Sequence, residues 1–107
     1  MMTESEFHSL ADCWLAALAQ ALEDADSQAA LEIDYQVGIV TIETAAGKTF
    51  IVSKHGPSQQ IWLSSPLSGG LHFPYHAVEK DWILPDGRRL KPLLSTELAT
   101  LAGVEFT

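Results

Sequence analysis

Apolar residues first recur at three- and four-residue steps. Phe7, Leu10, Ala11, Trp14, Leu18, Ala21 and Leu22 fall on one stripe, which predicts an amphipathic helix over residues 4–24. Thr3 or Ser5 supplies its N-terminal cap. From Leu31 the period shortens to two: Leu31, Ile33 and Tyr35 alternate with Glu32 and Asp34, as in a strand with one wet face. Gly38 turns the chain into Ile39–Thr44, Ala45-Ala46-Gly47 into Lys48–Lys54, and Gly56-Pro57-Ser58 into Gln59–Leu63. Ser64–Gly70 reads as the longest loop, followed by short strands at Leu71–Tyr75 and Asp81–Leu84. Lys91-Pro92 opens a second helix with Leu93, Leu94, Leu98 and Leu101 on its stripe, Gly103 is its left-handed stop, and Val104–Phe106 packs back as a tail. Short hairpin links make the sheet antiparallel. Helix, meander, helix is thus an α+β order, and it predicts a two-layer α/β sandwich with two helices packed on one face of an antiparallel sheet, in a single domain over residues 1–107.

Composition narrows the partners. With 47% hydrophobic and 19% charged residues, the chain can bury a core and lacks the signature of disorder. Fourteen acids against six Lys and Arg give a formal charge of −8, so a phosphate backbone is repelled and nucleic acid is excluded as a partner. The imbalance is local, because nine acids and no Lys or Arg lie in residues 1–47. The single cysteine, Cys13, closes no intramolecular disulfide and suits a reducing cytosol. No apolar run reaches the ~18–20 residues of a membrane span, and Met1–Glu6 lacks the positive start of a targeting peptide. The expectation is a cytoplasmic protein with no membrane contact.

Three features break the rules of a neutral surface. Glu23, Asp24 and Asp26 stand at the C-terminal end of the first helix, where the macrodipole makes an exposed acid unfavourable by roughly 0.3–1 kcal/mol. Glu32 and Asp34 project from the solvent side of the first strand, so five carboxylates gather with no nearby base in sequence. They are read as a surface for hard cations or for a basic protein patch, against the plainer reading of a solvated face. Glu4, His8 and Asp12, four residues apart, stack along one helical face where a metal can bridge His8 and a carboxylate, although that spacing is common by chance. Trp62 shares the polar face of its strand with Gln60 and Ser64, which predicts a wet-face aromatic and an interface anchor. His72 and His76 are read as loop histidines because Pro74 separates them, and Cys13 as an inert thiol. No catalytic triad, phosphate loop or nucleotide fingerprint is present.

The stretch Gln60-Ile61-Trp62-Leu63-Ser64-Ser65-Pro66 with Ser68-Gly69, preceded by Pro57, resembles the central strand-and-loop signature of the frataxin family. Ser5-Glu6-Phe7-His8 with Leu10-Ala11-Asp12 resembles the opening helix of its bacterial branch, and Asp81-Trp82-Ile83 and Leu93-Leu94 fit as well, so the likeness covers essentially the whole chain. The resemblance implies a frataxin-like sandwich that binds Fe²⁺ or Fe³⁺, and other hard divalent cations, weakly on an acidic ridge. By position the ridge is Glu4, Glu6, His8, Asp12, Glu23, Asp24, Asp26, Glu32 and Asp34. It further implies a regulator of iron–sulfur cluster assembly whose partners are the cysteine desulfurase, through a basic patch, and the cluster scaffold. Trp62, Gln60, Ser53, His55, Glu23 and Asp24 are its partner-binding residues, and it is a monomer with iron-dependent assembly known for the family. The sequence departs from the family at Ala19-Gln20 and Gln28-Ala29-Ala30, where relatives often carry acids, which implies a smaller iron capacity; Ser53 and His55 replace the usual Asn and Gln. A ferroxidase or iron-storage activity at the same acids is the alternative, although such a centre generally needs carboxylates from several helices. A third reading is an interaction domain in which the acids only solubilise and Trp62 alone binds.

Overall fold

Thr3 starts the first helix. Its hydroxyl accepts the backbone N–H of Glu6, and the Glu6 carboxylate reaches back to the backbone N–H of Thr3 at 2.9 Å, a complete capping box for α1 (Glu4–Ala25). The structure, a computed structural model, describes residues 2–106. The α1 face that turns inward is Phe7, Ala11, Leu15, Leu18, Ala19 and Leu22, so Leu15 and Ala19 join the predicted stripe while Leu10, Trp14 and Ala21 lie at its margins. The Thr3 backbone N–H, ahead of the nearby Thr3 hydroxyl, holds the Glu6 carboxyl below the ordinary carboxylate range. A lowered folded-state pKa means that this contribution is complete above the ordinary value near 4.5 and fades as the pH falls through the folded one. Thr3→Ala is expected to cost about 1 kcal/mol in urea denaturation at neutral pH.

Six strands follow as a meander: β1 (Leu31–Gln36), β2 (Ile39–Thr44), β3 (Thr49–His55), β4 (Gln60–Ser65), β5 (Gly69–His76) and β6 (Asp81–Trp82), each antiparallel to the next. The second helix, α2 (Leu90–Ala102), ends at Gly103 in the left-handed conformation, φ 70°. It begins two residues before Pro92, which sits in the first turn, where a backbone N–H has no intrahelical partner. The stretch read as the longest loop is instead mostly strand. Ser65 Oγ accepts the N–H groups of Leu67 and Ser68, Gly69 takes φ 77°, and the hairpin closes over residues 66–68 with Ser65 paired to Gly69. The strand expected over Leu71–Tyr75 is the middle of β5, so His72 stands in it opposite Trp62 and is not a loop histidine; His76 ends the same strand. β6 stops at Trp82, short of the expected Leu84, with one further bridge between Ile83 and Arg89.

Both helices cover one face. Val40, Ile42, Phe50, Val52, Ile61, Leu63 and Phe73 point under α1 and α2 and form one core with Leu90, Leu94 and Leu98. The opposite face stays free, and the strand register orders it into rows. Gln36, Ile39, Ser53, Trp62 and His72 stand side by side across five strands, with Asp34 and Thr41 in the next row and Glu32 and Glu43 in the one beyond.

Candidate functional site

The acids of the chain divide into those used by the fold and those left over. Glu6 caps α1. Asp26 turns the chain from α1 into β1: its two carboxylate oxygens accept the N–H groups of Ala30 at 2.7 Å and Leu31 at 2.8 Å. Asp12 is held by Lys54 of β3, Nζ to Oδ1 at 2.8 Å, so the expected open row Glu4–His8–Asp12 shortens to Glu4 and His8, whose Oε1 and Nε2 are 3.7 Å apart. Lys54 pairs with Ile61 on the helix-covered face, and its stem crosses Gly38, where an added Cβ would lie 2.9 Å from Lys54 Cε. A base distant in sequence therefore neutralises one predicted ridge residue, and Glu6 and Asp26 already have backbone partners.

Glu23, Asp24, Glu32 and Asp34 remain exposed, and among the described residues none of them forms an ion pair with Lys or Arg. Asp24 accepts one bond from Gln20 Nε2. The register adds a fifth acid that the sequence reading did not single out: Glu43 of β2 lies directly opposite Glu32 of β1. Cross-strand side chains at such positions are ~4.5–5.5 Å apart at Cβ, a separation at which like charges repel. Glu32 and Glu43 line two adjoining surface clefts, one of about 360 Å³ bordered by Ala30 and Thr44, the other of about 340 Å³ bordered by Asp34, Thr41 and Thr49. Among the described residues no three His, Cys, Asp or Glu side chains form a preformed metal cage. Exposed carboxylate oxygens open to water suit hard cations held through shared and water-completed coordination. Glu43→Gln relieves the repulsion with Glu32 and is expected to raise stability by roughly 0.2–1 kcal/mol, read from the urea midpoint.

On the free face Trp62 differs from its expectation. The indole is half-buried because both ring faces are covered: His55 stacks on one at 3.8 Å and 14°, His72 on the other at 4.0 Å and 8°. Its Nε1–H donates to Gln60 Oε1 at 3.0 Å. What approaches this face meets imidazole and the indole edge instead of a bare tryptophan. Ser53, the remaining predicted contact, is half-buried beside Trp62 in the same row.

One free sheet face, a half-buried aromatic stack and carboxylates left without ion-pair partners among the described residues on α1 and β1–β2 define a small acidic binding module. The chain belongs to the frataxin family, matching the model of the frataxin-like domain over residues 1–104; the family is known for iron binding and iron–sulfur cluster assembly. It is 36% identical over 104 residues to the mitochondrial frataxin of Dictyostelium discoideum, covering 94% of this chain and 54% of that one. It is 33% identical over 102 residues to the mitochondrial frataxin homolog of Schizosaccharomyces pombe, covering 92% and 65%. The chain thus spans about half to two thirds of the length of these curated relatives. Among solved structures it is similar to the frataxin of Psychromonas ingrahamii, with a TM-score of 0.85, 27% identity and 99% of both chains covered. It is also similar to the trimeric frataxin of Saccharomyces cerevisiae complexed with ferrous iron, with a TM-score of 0.76, 30% identity, and 88% of this chain and 86% of that one covered. Among the described residues no helix is long and apolar enough to cross a membrane.

Proposed function

We propose that Glu23, Asp24, Glu32, Asp34 and Glu43 hold Fe²⁺ or Fe³⁺ weakly and dock a basic patch of the cysteine desulfurase, so that the chain regulates iron–sulfur cluster assembly without catalysing a reaction. The observation that carries this reading is the set of exposed acids kept without a Lys or Arg partner among the described residues, at a cost in self-repulsion. The ferrous complex of the yeast relative supports iron as the cation. The cluster scaffold meets the free sheet face around Trp62, Gln60, Ser53 and His55. The likeness to the Psychromonas chain, described within the CyaY family, supports a member of the bacterial branch, and a cytoplasmic setting goes with that reading.

Attraction between exposed charges is screened over ~10 Å at 0.1 M salt and over ~3 Å at 1 M. A pull-down with the desulfurase is therefore expected to retain the complex at the lower salt and lose it at the higher one. A complex indifferent to salt refutes docking through the acids. Oxygen uptake with Fe²⁺ is expected to match a protein-free control, and faster uptake restores the ferroxidase reading.

A further inference from the structure

The stack around Trp62 carries a chain of hydrogen bonds whose direction is forced. An indole N–H only donates, so the Gln60 atom 3.0 Å from Trp62 Nε1 is the amide oxygen. Ser58 Oγ lies 2.9 Å from that same oxygen and must spend its one proton there. With that proton committed, the 2.7 Å contact between Ser58 Oγ and His55 Nδ1 is made by a proton on the imidazole. His55 therefore carries its proton on Nδ1, and its Nε2 has no place in the chain.

We infer that His55, Trp62 and His72 form a proton-responsive clasp on the free sheet face, with His55 locked as the Nδ1–H tautomer and taking up its second proton at Nε2. That uptake breaks none of the three hydrogen bonds, and it places a cation flat against an indole face, an attractive arrangement. His72, on the other indole face and exposed, does the same from β5. The remaining titratable groups nearby are Glu4 and His8 of α1, which border the cleft along residues 56–59. Lys54, the strand neighbour of His55, points to the opposite face and is held by Asp12. Imidazole is the side chain whose charge changes between about pH 5 and 8. On protonation the clasp passes from a neutral surface with a bare acceptor nitrogen to a cationic one that donates, on the same face as Glu32, Asp34 and Glu43. The clasp rests on these contacts alone and holds whatever the acids bind.

The test is nuclear magnetic resonance of the isotope-labelled protein from about pH 8 to about pH 5, following the imidazole nitrogens and the Trp62 indole N–H, which Trp62→Phe assigns. At the alkaline end His55 is expected to show a protonated Nδ1 and a bare Nε2. Ser58→Ala is expected to release it toward the Nε2–H form. The indole signal is expected to follow both imidazole titrations and to lose one in each of His55→Gln and His72→Gln. Circular dichroism confirms that the exposed-face variants are folded. A neutral His55 protonated on Nε2, or an indole signal that stays fixed while the imidazoles titrate, overturns the inference.

Discussion

Replacing Trp82 by alanine is expected to cost the fold about 3–5 kcal/mol, the largest loss from any single substitution considered for this chain. β6 is only two residues long, and Trp82 is its one buried side chain. Trp82 is 1% exposed, meets Phe7 of α1 edge-on at 6.0 Å and Tyr75 of β5 at 5.1 Å, and so joins the first helix to the last strand pair. Truncation removes both ring contacts and leaves a cavity between α1 and β5. Since domains of this size are stable by roughly 5–15 kcal/mol, the variant is expected to unfold at a markedly lower urea concentration, or to be partly unfolded without denaturant. Trp82→Phe, which keeps an aromatic ring against Phe7, is expected to lose less. A loss below about 1 kcal/mol for the alanine variant contradicts the packing role given to Trp82.

Neutralising the leftover acids has the opposite signature. The fourfold variant Glu23→Gln, Asp24→Asn, Glu32→Gln, Asp34→Asn moves the formal charge from −8 to −4 with little change in side-chain volume. None of the four carboxylates has an ion-pair partner to lose among the described residues, and only Asp24 accepts a side-chain bond, which an amide oxygen can also accept. Relief at the end of α1 is worth about 0.3–1 kcal/mol per acid, and relief at the Glu32–Glu43 pair about 0.2–1 kcal/mol. The variant is therefore expected to be at least as stable as the parent while its affinity for Fe²⁺ or Co²⁺ falls by about tenfold or more. Stability and binding moving in opposite directions separate a surface kept for a ligand from one kept for the fold. A variant that loses stability, or that binds the cation as well as the parent, places the site elsewhere.

The elements were legible because alternation and helical spacing report burial directly. Phe7, Ala11, Leu18 and Leu22 mark the inner stripe of α1, and Leu31 and Ile33 the inner side of β1. Side-chain partnerships across the chain were not legible. Nothing in the local pattern shows that Lys54 reaches Asp12, or that Asp26 spends both oxygens on backbone N–H groups, because those contacts exist only once β3 and β1 lie beside α1. Glu43 was within reach: a two-residue turn at Val37-Gly38 sets a register in which residue 43 faces residue 32. His72 was read as a loop histidine because Pro74 rules out a helical pairing with His76, although the strand expected over Leu71–Tyr75 contains it. A residue's N–H and C=O point to the same side of a strand, and the Pro74 carbonyl accepts from Ile83. The missing N–H therefore faces the short β6 side, next to the last named pair Tyr75–Trp82, and the β4 ladder runs unbroken from Gly69 to Pro74, opposite Gln60.

The most direct measurement is the backbone amide spectrum of the intact chain during an anaerobic titration with Fe²⁺, repeated with Co²⁺. Broadening is expected to begin at Glu23–Asp24 of α1 and at the Glu32, Asp34 and Glu43 positions of the sheet, with Glu4–His8 as a further, separate focus, and to leave α2 and β6 sharp. Broadening centred on α2 or β6, or spread evenly over the chain, would contradict the assignment of the cation to the unpaired carboxylates.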